Sequence, residues 1–188
     1  MPRLAAVPPD SSEFSRALRG DGGHDGVVLV GHELGAVAID GLTQPVRDCF
    51  QRDAAAARTV QLVAAAGLAG DRLVLAPTGP LSRDHDDVRR HAEAAARGIT
   101  RARDAGAKRV LLVVQAPPAD VRYEHAATIA SLGALSALWQ PLEAREALGE
   151  RTVEPVQQLT VAALGGSMSK ASLRWIEAAD AGLRLARD

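Results

Sequence analysis

The densest group of residues able to do chemistry is Ser82, His85, Asp86, Asp87 and His91. Asp87 and His91 stand four apart, so on a helix they would share a face and could offer two ligands to a metal ion. His85 and His91 stand six apart and would point away from each other. Ser82, His85 and Asp87 are the residue types of a nucleophilic triad, but closeness in sequence does not supply triad geometry. A simpler reading covers the same residues. Ser82 and Asp84 are N-cap types, and Asp84, Asp86 and Asp87 in a first helical turn offset the positive end of the helix dipole. Capping is the preferred reading.

Three further patterns carry potential chemistry. Gly20-Asp21-Gly22-Gly23-His24 is glycine-rich, but it lacks the Lys-Ser/Thr ending of a phosphate loop and reads as a flexible connection. Gly165-Gly166-Ser167 lies between a strand and a helix, where free N–H groups can hold an anion. It serves equally as an ordinary turn with Ser167 or Ser169 capping the helix. Arg89, Arg90, Arg97, Arg101 and Arg103 give one helix much positive charge, partly offset by Glu93 and Asp104, and read as a solvated face. No HExxH, GxSxG or CxxC occurs. No catalytic, cofactor-binding or metal-ligating residue is therefore assigned.

The elements that would position these residues are readable from periodicity. Residues 1–25 look loosely structured or edge-like, with a helical turn over Ser15 to Arg19. Val27 to Val30 is a strand, and Gly35 to Ile39 is a second candidate. Val46 to Ala57 reads as a helix with Val46, Cys49 and Phe50 inward. Thr59 to Ala65 and Arg72 to Ala76 suit a hairpin. Val88, His91, Ala92, Ala95, Ile99 and Ala102 make one face of a long helix that Gly106 closes. Lys108 to Gln115 is a strand whose run Val110 to Val114 lacks alternation, which calls for cover on both faces. Pro117-Pro118 breaks the chain. Ala126 to Trp139 is a helix, Leu142 to Leu148 a short helix or loop, and Val156 to Ala163 the last strand. Interleaved strands and helices make the class α/β with helices on both faces of the sheet.

The last stretch repeats Leu173, Ile176, Ala179 or Asp180, Leu183 and Ala186 at helical spacing, and no Gly, Asn or Pro closes it. This reads as one domain of a longer chain, with the Leu173, Ile176 and Leu183 face packed on the sheet. At 188 residues a single domain is expected. With 22 Lys and Arg against 23 Asp and Glu, the net charge of −1 gives no global attraction to nucleic acid or an anionic membrane. The single Cys49 excludes an internal disulfide and a multi-cysteine zinc site, and a reducing, cytoplasmic setting fits. No targeting segment or membrane-spanning run is visible.

The order Asp71 to Pro77, helix Val88 to Gly106, strand Lys108 to Val114 resembles the N-terminal domain of the cytosolic leucyl aminopeptidases. The tail is similar to the helix that joins the two domains in that family, with Gly182, Leu185, Ala186, Arg187 and Asp188 on the family pattern. The resemblance covers most of the chain after Val27. It implies a three-layer α/β/α, macro-domain-like mixed sheet: residues 1–25 as a loose segment, 26–168 as the macro-like domain, 169–188 as a terminal helix leading toward a peptidase domain. It implies no metal or cofactor in this chain, because the family's metal motifs, of the form NTDAEGR and KG..FD.GG, do not occur here. Two divalent metals, zinc or manganese, would belong to the absent peptidase domain.

The function implied is that of a non-catalytic domain of a leucyl aminopeptidase, serving oligomer assembly and active-site access. Its partners would be its own C-terminal peptidase domain and further copies in a homo-oligomer, a hexamer in the family, with no membrane and little support for nucleic acid. Two other readings remain. One is a macro-like module binding a nucleotide or other anion, although Gly31-His32-Glu33-Leu34-Gly35 lacks the Asn that ADP-ribose binding needs. The other is a free-standing enzyme using His85, Asp87 and His91.

Overall fold

The computed structural model describes residues 2–117, 120–149, 155–165 and 168–188. Six strands form one mixed sheet: β1 (Arg3–Ala6), β2 (Gly26–Gly31), β3 (Gln61–Ala64), β4 (Arg72–Pro77), β5 (Arg109–Gln115) and β6 (Gln158–Leu164). Their order is β1-β6-β5-β2-β4-β3. All neighbours run parallel except the edge strand β3, which pairs antiparallel with β4 as the hairpin pattern predicts. Among the described residues the α-helices are α1 (Ser12–Arg19), α2 (Thr43–Arg52), α3 (Arg89–Asp104), α4 (Ala126–Ala137), α5 (Leu142–Leu148) and α6 (Lys170–Arg187).

The strand sequences explain the three layers. Along β5, Val110, Leu112 and Val114 enter one apolar cluster with Ala95, Ile99, Ala130 and Ile176. Leu111 and Val113 enter a second cluster with Phe14, Leu18, Leu34 and Val46. Successive side chains leave a strand on opposite faces, so an unbroken apolar run needs cover on both. Helices α3, α4 and α6 supply it on one side, and α1, α2 and the Leu34 turn on the other. Small residues let these helices lie close. A Cβ on Gly98 would come 2.7 Å from Val28 Cγ1 and 2.9 Å from Ala76 Cβ. A Cβ on Gly133 would come 2.3 Å from the Ala92 carbonyl oxygen where α4 crosses α3.

Several expectations need correction. Of the two readings of the N-terminal segment, edge-like holds and loose does not: over residues 2–25, β1 pairs in parallel with β6 on the sheet edge, and α1 is capped by Ser11, which accepts from the Phe14 N–H. A four-residue edge strand held by long-range pairing leaves little periodicity to read. Gly35 to Ile39 is not a strand but a 3₁₀ turn at Leu34–Ala36 and an irregular segment that buries Val37. The helix expected through Ala57 stops at Arg52, because Asp53 turns extended and its carboxylate caps a separate 3₁₀ turn, Ala54–Ala57. Helix α3 starts at Arg89, not at Ser82 or Asp84, and Val88 at its N-cap makes no side-chain cap bond.

Helix α6 differs from expectation in which side chains it buries. Ile176 and Asp180 are buried, and Leu173 is half-buried. Leu183, expected on the sheet, is 44% exposed. At 100° per residue it sits at the margin of the buried face, whose middle is taken by polar Asp180 and Arg184. The expected closing glycine, Gly106, is in place with a φ of 86°.

Candidate functional site

Four parallel strands end together at Gly31, Pro77, Gln115 and Leu164. In open α/β sheets ligands gather outside such carboxyl ends. His91, on the first turn of α3, reaches this end and is fully buried, its Nε2 3.1 Å from the Gln115 carbonyl oxygen. A carbonyl accepts, so Nε2 carries the proton, and this tautomer follows from the hydrogen bond. His91 Nδ1, His32 Nδ1 and Gln115 Oε1 are buried without a hydrogen-bond partner among the described residues. Burial pushes the His91 imidazole below its ordinary pKa; the hydrogen bond to Gln115 opposes this, and the nearby His32 adds to it. The net direction favours the neutral imidazole of His91.

Tyr123 lies over His91, ring centres 5.6 Å apart, and its hydroxyl donates to the Asp86 carbonyl oxygen at 3.3 Å. Burial raises the Tyr123 pKa. The Asp86 side chain is buried and accepts from the Arg83 backbone N–H at 2.9 Å and from Arg83 Nη2 at 2.8 Å, with Arg90 Nε 3.4 Å away. These bonds, those from Arg83 first, hold its carboxyl far below the usual carboxylate range. Arg83, Asp86, Arg90, Tyr123 and His91 therefore form a clamp that fastens the loop before α3 to the segment after β5.

The clamp separates the residues expected to act together. Asp87 does not face His91. It precedes the helix, and its carboxylate accepts from the Arg89 backbone and guanidinium, at 2.9 Å and 2.7 Å. The capping reading also needs correction: α3 has neither a side-chain cap nor an acid in its first turn, and of the expected acids only Asp87, just ahead of the helix, accepts from one of its N–H groups, that of Arg89. Ser82 and His85 are exposed. Among the described residues no three His, Cys, Asp or Glu side chains come together to hold a metal ion, so the side chains present do not fit a two-metal centre. Sequence reasoning missed Asp86, Tyr123 and Gln115 as a group. Only the lone Gln at the end of the apolar β5 run hinted at them.

The other patterns resolve similarly. Gly20 caps α1 in the left-handed conformation, and His24 Nε2 lies 2.9 Å from Thr160 Oγ1, so the glycine-rich loop closes a turn. Of Gly165-Gly166-Ser167, only Gly165 lies within the described residues. Ser169 caps α6 by accepting the Ser172 N–H at 3.0 Å. Beside it a cavity of about 670 Å³ opens between the ends of β5 and β6 and the starts of α4 and α6, lined in part by Tyr123, Glu124, His125 and Ser169. The arginines of α3 are mostly engaged: Arg89 with Asp87, Arg90 with Asp86 and Glu93, Arg103 with Asp104.

Among the described residues, no helix is long and apolar enough to cross a membrane. No protein-family model matches the chain. In sequence it is 34% identical over 177 residues to a Caenorhabditis elegans protein called "Putative aminopeptidase", covering 89% of this chain and 33% of that protein. In structure it matches a mutant of tomato leucine aminopeptidase with a TM-score of 0.64 and 12% identity, covering 99% of this chain and 38% of that one. The chain thus spans only about a third of the worm protein and 38% of the tomato enzyme. It is similar, in sequence to a portion of an aminopeptidase and in fold to the N-terminal domain of a leucine aminopeptidase, as the tail and the strand–helix–strand block foretold.

Proposed function

We propose that this chain is the non-catalytic N-terminal domain of a metal-dependent aminopeptidase. A separate peptidase domain, holding two zinc or manganese ions, would remove N-terminal residues from peptides. The observation that carries this reading is the worm match, which runs through 89% of this chain yet takes up only a third of that protein. A second feature supports it. Trp175, Ala178, Gly182 and Leu185 all lie exposed along α6, at positions that fall on one face opposite the buried Ile176. Trp175 is 55% exposed and Leu185 80%, an apolar stripe suited to an adjoining domain. In this reading the domain works in a cytoplasmic homo-oligomer and shapes access to the peptidase site.

The test compares two proteins on aminoacyl anilides with manganese. The purified chain should show no turnover, and the same chain continued into a peptidase domain should turn substrate over. Turnover by the chain alone, abolished by His85→Ala or His91→Ala, would overturn the reading. The cavity beside Ser169 favours a second reading, a nucleotide- or anion-binding module. Among the described residues its lining includes Asp120 and Glu124 and no arginine or lysine, which disfavours an anion. Calorimetry with ADP-ribose should show no heat of binding, and micromolar affinity would favour the second reading.

A further inference from the structure

We propose that the open groove beside α3 is the docking site for α5 of a second copy of this chain. The groove has a volume of about 880 Å³ and runs along α3 beside Val60 and Pro77. Its lining includes apolar Val60 and Ala96 together with Arg58, Arg90, Arg97 and Arg101. Its one acid, Asp104, is already engaged by Arg103 at 2.9 Å. Arg58 and Arg101 make no ion pair with any described residue, and Arg97 makes one long hydrogen bond, 3.4 Å to the Pro77 carbonyl oxygen. The groove is therefore lined by both apolar residues and arginines, and it calls for an occupant that carries both acidic and apolar side chains.

Helix α5 has that chemistry. It runs Leu142-Glu143-Ala144-Arg145-Glu146-Ala147-Leu148, and every residue except Arg145 is exposed. Leu142 is 38% and Leu148 45% exposed, which is unusual for residues of their size. Glu143 and Glu146 form no ion pair among the described residues. The spacings also correspond. Arg97 and Arg101 are four apart on α3, and Glu143 and Glu146 three apart on α5, so each pair stands roughly 5–6 Å apart on its helix face. Seven residues of helix span about 10 Å, within the roughly 16 Å between Arg90 and Arg101 along α3. Nucleic acid is the less favoured occupant, because the lining is partly apolar and the chain's net charge is −1. Groove and helix are different patches of one chain, so the contact is head-to-tail and builds a ring or an open chain of subunits. None of this depends on the aminopeptidase reading.

The test is charge exchange followed by sedimentation over a concentration series. The wild-type chain should gain mass with concentration and lose that gain in high salt. Arg97→Glu with Arg101→Glu should stay monomeric, as should Glu143→Lys with Glu146→Lys, each keeping the wild-type circular dichroism spectrum. Mixed, the two variants offer two complementary contacts, reversed groove with reversed helix and native groove with native helix, and should regain the wild-type gain in mass as alternating assemblies. A monomeric wild type, variants that associate as well as wild type, or a mixture that stays monomeric would each overturn the proposal. So would a monomeric wild type that retards a short DNA duplex through Arg97 and Arg101, which would assign the groove to nucleic acid.

Discussion

Helices α3 and α6 both contribute to the apolar layer on one side of the sheet, yet they are built on opposite plans. Helix α3 buries His91, Ala94, Ala95, Gly98, Ile99 and Ala102. Helix α6 has two more residues and buries only Ile176 and Asp180. The first is a structural centre made from small side chains, close enough to the sheet that Gly98 has no room for a Cβ. The second is fastened along one narrow line, with apolar residues left facing solvent. The comparison teaches that length and periodicity predict that a helix forms, whereas the size of its side chains decides how much of it the domain uses.

The sharpest way to break the contrast is to enlarge the α3–α4 crossing. Gly133→Ala places a methyl 2.3 Å from the backbone oxygen of Ala92, which cannot move aside as a side chain can. Alanine in place of glycine favours a helix by about 1 kcal/mol, but overpacking of this kind costs about 3 kcal/mol or more, so the clash wins. Urea unfolding should show a net loss of about 2 kcal/mol or more, and an unchanged midpoint would mean the two helices are not in close contact. Gly98→Val should act in the same direction against Val28 and Ala76.

The next largest effect lies on the one strong anchor of α6. Ile176 is fully buried, so Ile176→Ala should cost about 2–5 kcal/mol and Ile176→Asp should prevent stable folding. If Ile176→Ala moved the midpoint no more than a surface change does, α6 would not be docked through this residue.

A pH titration reaches the α3 side through His91. His91 has its pKa lowered on folding, so the folded chain refuses a proton that the unfolded chain accepts. Above about pH 6.5 neither state carries that proton and stability is unaffected; as pH falls below about 6.5 stability declines. The melting temperature should therefore drop between about pH 7.5 and about pH 5.5, and His91→Gln, which can still donate to the Gln115 carbonyl, should lessen the drop. His24 is shifted the same way by burial, so the variant keeps part of the dependence. An equal drop in both proteins would place the pH sensitivity elsewhere.

How much of this was legible in the sequence follows from which forces are local. The β5 run, the hairpin and the α3 face were readable because each announces itself within a dozen residues. Strand β1 was not, since Arg3 to Ala6 becomes a strand only through pairing with Gln158 to Val161. The inward turn of Asp86 was hidden too. His85-Asp86-Asp87 places three polar residues in a row, and only the position of Tyr123 and Arg83 decides which of them is buried. Leu183 was misplaced because periodicity ranks residues by apolarity; of the alternatives Ala179 or Asp180 it is Asp180 that is buried, its carboxylate accepting from Arg184 Nε at 2.7 Å.

The smallest expected effect is the most telling for α6. Trp175→Ser and Leu185→Ser alter two large exposed side chains, and exposed sites change stability by only about 0.5 kcal/mol. Unfolding of the chain should hardly register either change, whereas the same size of truncation at Ile176 registers strongly. If the outer face serves an adjoining peptidase domain, the two serine variants should instead weaken the longer protein, seen as earlier melting or easier proteolysis between the domains. A loss of stability in the short chain alone would show that Trp175 already packs within it. The contrast between a helix consumed by the core and one held half in reserve would then fail.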